Sequence, residues 1–80
     1  MQSAIGLVEV SSVAQGILVA DEMLKAVEVE ILVSRTICAG KHITLISGAV
    51  GAVKASVETG RRIADYTLVD SIIIPNIHEL

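Results

Sequence analysis

The change of period at Ser12 constrains what this chain can fold into more than any other feature. Before it, Ala4–Val10 ("AIGLVEV") alternates and is rich in apolar residues, which predicts a strand. After it, Val13, Ile17, Ala20, Leu24 and Val27 recur at steps of four and three, which predicts a helix with these residues on its apolar face. Ser12 and Gln15 sit at the junction as a Ser-x-x-Gln capping box. In such a box the Ser hydroxyl accepts from a first-turn N–H and the Gln side chain returns to the cap. Asp21 and Lys25 form an i,i+4 pair on another side of the same helix.

The same switch occurs a second time. Val29–Ile37 ("VEILVSRTI") alternates as a second strand, with Leu32 breaking the alternation in a way that predicts partial cover on both faces. "CAGK", residues 38–41, reads as a turn in which Gly40 supplies a positive φ. His42–Ser47 ("HITLIS") completes a hairpin. Gly48-Ala49-Val50-Gly51 then opens a helix whose inward stripe is Val50, Val53, Val57, Gly60 and Ala64, with Arg61 and Arg62 in the last turn, where cations suit the helix dipole. Leu68–Ile74 ("LVDSIII") is a last strand, which Pro75 is expected to end. The order βαββαβ predicts an α+β, ferredoxin-like fold, with a four-stranded antiparallel sheet and both helices on one face.

Eighty residues make one small domain, and a core of that size is marginal alone. A single cysteine provides no internal disulfide. Yet 52% of the residues are hydrophobic, and Tyr66 is the only aromatic. So much aliphatic surface predicts burial against further copies of the chain, a homo-oligomer. The longest stretches free of Asp, Glu, Lys and Arg, Val10–Ala20 and His42–Val53, fall well short of the roughly 20 residues of a membrane span, so no membrane partner is expected. "MQSAIGLVEV" lacks the basic start of a signal peptide, so the expected setting is the cytoplasm, with Cys38 reduced. A net charge of −3 gives no general affinity for nucleic acid, and the sheet offers no aromatics on which bases could stack.

No constellation points to an enzyme. Cys38 and His42 have suitable chemistry, but they lie four residues apart across a turn with no orienting third group, and His42 is expected to be an exposed hairpin residue. "SGAVGAV", residues 47–53, is glycine-rich but lacks the Gly-Lys-Ser/Thr ending of a phosphate loop. Asp70, out of place among apolar neighbours, reads as a residue on an edge or interface, and His78 as solvated. Cys38 stands alone in one chain, and a thiolate holds a soft metal or an iron–sulfur cluster only where several converge. Copies arranged around an axis would bring several together.

Four spaced stretches carry a family resemblance. They are "AIGLVE" from Ala4, "ADEMLKA" from Ala20, "GAVGAVKA" from Gly48 and "IPNIH" from Ile74. In this order they resemble the shell domain of bacterial microcompartments across nearly the whole chain. The resemblance implies a ferredoxin-like domain that assembles into flat six-fold discs, which tile with other shell proteins around a protein organelle and pass small metabolites through a central pore. It implies no catalysis. It places the pore at the turn between strands 2 and 3, here Ile37, Cys38, Ala39 and Gly40. It places Lys25 at the disc edge, with Asn76 standing where the family often has an arginine.

"SRTICAGK" and "LVDSIIIPNIH" resemble more narrowly the first half of the family's tandem-domain members from propanediol-type microcompartments. Those members are pseudo-hexameric trimers that hold a [4Fe–4S] cluster at the pore through one cysteine per chain. The resemblance therefore implies Cys38 as a metal ligand, in a trimer if the domain belongs to a tandem chain or in a hexamer if it stands singly. Three thiolates suit a cluster with one open iron, whereas a six-fold ring would bring six. The expectation from a different class is a small-molecule-binding regulatory module, which shares the ferredoxin-like plan but would dimerise and gain thermal stability with its ligand.

Overall fold

The computed structural model describes residues 3–77, with side-chain surroundings for residues 3–75. His78 lies outside the described residues. The elements are β1 (Ser3–Val10), α1 (Val13–Ala26), β2 (Glu30–Cys38), β3 (Lys41–Gly48), α2 (Val50–Ala64), a short 3₁₀ turn (Asp65–Thr67) and β4 (Leu68–Ile77). All strand pairs are antiparallel, in the order β2-β3-β1-β4. This is the expected α+β architecture. The two central strands, β1 and β3, belong to different β-α-β halves, which interlocks them.

One face of the sheet carries the helices. Ala4, Gly6, Val8 and Val10 of β1 and His42, Thr44 and Ile46 of β3 point into that layer and are buried. Gly6 lets α2 come close: a Cβ there would stand 2.5 Å from Val57 Cγ2 and 2.8 Å from Val53 Cγ1. The stripe expected on α2 is the packed one, with Val53, Val57, Gly60 and Ala64 buried and Val50 half-buried; Ser56 joins it by donating to Met23 O at 3.0 Å.

The face expected on α1 is corrected. Gly16, Val19, Ala20 and Met23 are the buried residues, whereas Val13, Ile17 and Leu24 are exposed. The helix carries two overlapping apolar sets, about a quarter turn apart at 3.6 residues per turn. Close approach selects the set containing glycine. Gly16 lies so near the His42 ring that a Cβ would meet it at 2.5 Å, and Met23, fully buried, fills the space beside Gly60. Half of the capping box forms: Gln15 N donates to Ser12 Oγ at 3.2 Å. The Gln15 side chain does not return to the cap. Its Nε2 donates to Ile63 O at 2.7 Å, which ties the start of α1 to the last turn of α2.

Both edge strands are irregular. In β2 the register slips between Ile31 and Val33, making Leu32 the extra residue, and again between Thr36 and Cys38. Such a bulge resets alternation, and this accounts for Leu32 without cover on both faces. In β4 the slips fall at Val69 and near Pro75. Pro75 does not end β4, which continues to Ile77; an edge strand with a register shift tolerates the missing N–H.

Candidate functional site: the β2–β3 hairpin tip

The hairpin turns through Ala39 and Gly40 alone, with Cys38 opposite Lys41. Gly40 has φ of 76°, while Ala39 stays at negative φ, as a turn needing its left-handed residue second requires. Cys38 is thus the last residue of β2 rather than part of the loop. Its thiol is free and exposed. Every residue from Ser34 to Lys41 is exposed, so the tip stands clear of the core. Ile37 is 43% exposed, and with Cys38, Ala39 and Gly40 it forms one protruding end.

His42 overturns its expectation. It is 5% exposed, with its ring against α1 at Gly16 and its Nε2 2.9 Å from Ser34 Oγ. Nδ1 is buried without a partner among the described residues. Register explains the burial: His42 lies opposite Val10 of β1 on one side and Thr36 of β2 on the other, on the helix-bearing face. The alternation His42-Thr44-Ile46 was a legible signal for this. Cys38 pairs on the face away from the helices, so Cys38 and His42 do not form a catalytic pair.

The remaining candidates are dispersed. Lys25 lies near the end of α1 and pairs with Asp21 at 2.8 Å, an exposed contact that raises its pKa through the hydrogen bond and the charge of Asp21. Asn76 belongs to β4, and its side chain is outside the described set. The glycine-rich start of α2 borders an open cleft of about 610 Å³ that Glu28 and Glu30 also line. Two carboxylates there oppose an anion, which removes the phosphate reading. Asp70 sits on the edge strand opposite Glu9, its Oδ1 accepting from Ser71 N at 2.8 Å. No group of three His, Cys, Asp or Glu that could hold a metal occurs among the described residues. No helix among them is long and apolar enough to cross a membrane.

The BMC domain model matches residues 4–77. The chain belongs to the BMC-domain family. It is 47% identical over 78 residues to the bacterial microcompartment shell protein PduT of Citrobacter freundii, a match covering 98% of this chain and 42% of that protein. It is also similar to a microcompartment protein from Desulfitobacterium hafniense DCB, known from a crystal structure. The TM-score is 0.93 at 49% identity, over 95% of this chain and 42% of the other. The BMC domain described here therefore spans less than half the length of these relatives.

Proposed function

We propose that this BMC domain is a building block of a microcompartment shell, joining a ring with the β2–β3 hairpin at its central pore. One observation carries the ring: the domain leaves apolar surface uncovered in two separate patches. On the helix layer these residues include Val13, Ile17 and Leu24 of α1. On the helix-free face of the sheet they include Ile72 and Ile74, in rows with Leu7 and Ile5. A two-fold contact uses one patch on both partners and leaves the other wet. A head-to-tail contact covers both patches in every subunit, and such contacts make a ring when the rotation closes. The bulges at both sheet edges disfavour the alternative, growth by strand pairing.

In this reading Ile37, Cys38, Ala39 and Gly40 line the pore, and Lys25, with Asn76, faces neighbouring tiles and other shell proteins in the cytoplasm. The function is structural: the domain forms a wall and a passage for metabolites and performs no turnover. One chain offers a single thiol, so its own donors do not fit an iron–sulfur cluster. A [4Fe–4S] cluster fits only if Cys38 thiolates converge from several copies, where it would supply one-electron transfer at the pore.

Native mass spectrometry after anaerobic reconstitution with iron and sulfide tests both levels. The expected species is a hexamer of this chain, or a trimer if the domain is carried in tandem, retaining iron that Cys38→Ser lacks. A stable monomer at micromolar concentration overturns the ring. Iron retained unchanged in Cys38→Ser, or none in the wild type, overturns the cluster alone.

A further inference from the structure

We infer that His42 is the positioning residue of the Cys38 hairpin tip, fixing the direction in which the tip leaves the core. From Ser34 to Lys41 no side chain is buried, and His42 is the first residue beyond the tip that is. Its ring reaches α1 at Gly16, and its Nε2 reaches Ser34 Oγ at 2.9 Å on the opposite strand. One side chain therefore links three elements: α1, β2 and β3. The contact lies diagonally across the hairpin, since Ser34 itself pairs with Thr44 and His42 with Thr36. A diagonal side-chain tie adds a cross-strand constraint to those of the backbone ladder.

The unpartnered Nδ1 sharpens the assignment. A buried proton on Nδ1 would be an orphan donor, so the favoured tautomer carries the proton on Nε2, which donates to Ser34 Oγ. An orphan lone pair remains on Nδ1. A valine or isoleucine at this position would pack against Gly16 without that penalty, so packing alone does not account for a histidine. The hydrogen bond to Ser34 does. Thr36 and Val10, the residues across from His42, carry no charge, and Arg35 and Lys41 belong to the other face of the hairpin.

The inference rests on the pore reading for its purpose but is measurable without it. Residue-resolved amide hydrogen exchange on the full chain is the test. Ser34→Ala alters an exposed position and keeps the fold; it should speed exchange at the hairpin amides between Thr36 and Lys41 by about tenfold while Val8, Ile46 and Val57 hold their rates. His42→Ala should do the same or more. His42→Gln, whose terminal amide nitrogen can donate to Ser34, should restore tip protection, and Ser34→Ala added to it should remove the rescue. Tip rates that stay unchanged, or that move only in step with the core amides, overturn the inference.

Spin labels on Cys38 separate the pore reading from this one. Short distances between copies, with a distribution broadened by Ser34→Ala, support both. Labels far apart in the wild-type assembly overturn the pore position, leaving the exchange result to decide the role of His42.

Discussion

The two faces of the sheet are both apolar, but only one is packed. On the helix-bearing face the residues are small or medium, and Gly6, Val8 and Ile46 fit against Val53, Val57 and Met23 with almost no exposed area. On the other face, β1 and β4 set Ile5 opposite Ile74 and Leu7 opposite Ile72, and β3 adds Ile43 and Leu45, with no element above them among the described residues. An antiparallel sheet with one solvated face normally alternates apolar with polar residues. Here the polar residues of the open face lie toward both ends of the strands, Arg35, Glu9 and Asp70 at one and Glu30 and Ser47 at the other, and leave an apolar band between them. The packed face explains how the domain folds. The open face is surplus to folding and points to burial in an assembly.

The sharpest way to break this comparison is to place a charge on the open face. Ile72→Glu should leave the circular dichroism spectrum and the core intact, since Ile72 is 47% exposed in the free domain. It should weaken assembly by about 2 kcal/mol or more, the loss expected when a central interface position is made unfit, or roughly thirtyfold in association constant. Rings that persist at micromolar concentration in this variant would show that the open face is not an interface.

The packed face is probed by glycine. Gly6→Ala puts a methyl 2.5 Å from a branched, fully packed Val57, which has no room to turn, and should destabilise the fold by about 1–3 kcal/mol, with the melting temperature falling roughly 4–8 °C per kcal/mol. Gly60→Ala meets Met23 Sδ at 2.7 Å instead. A flexible thioether gives way more easily, so the loss should be clearly smaller. Equal losses would mean that the two helix contacts are equally rigid.

This contrast also marks what could be read from the chain alone. The βαββαβ order, the Ser12 cap and the α2 stripe follow from local periods, and local periods are in the sequence. The packed side of α1 does not follow, because two apolar sets compete and the choice is made by Gly16 meeting His42, a contact between residues far apart in the chain. The burial of His42 was hidden by its polarity, although its even spacing with Thr44 and Ile46 carried the signal. The extension of β4 through Pro75 depends on its being an edge strand, which only the finished topology reveals. Of the candidate site, the protruding tip with Cys38 was legible as a turn signal; the anchor beneath it, His42 with Ser34, was not.

Lys25 gives the smallest effect on folding and the cleanest separation of folding from assembly. Its partner Asp21 raises its pKa, so the ion pair is present at neutral pH and fades only as pH rises through the elevated lysine value. Both side chains are more than half exposed, and solvent screens such a pair, so Lys25→Ala should leave the melting temperature at pH 7 unchanged within error. If Lys25 faces a neighbouring tile, the same variant should form rings of normal mass that no longer grow into sheets under the electron microscope. Raising the pH through the lysine range should loosen wild-type sheets in the same direction, because the charge that bridges tiles is then lost while the apolar contacts within each ring are untouched. Sheets that survive both changes would move the tile edge away from α1 and leave the apolar stripe of Val13, Ile17 and Leu24 as a contact inside the ring only.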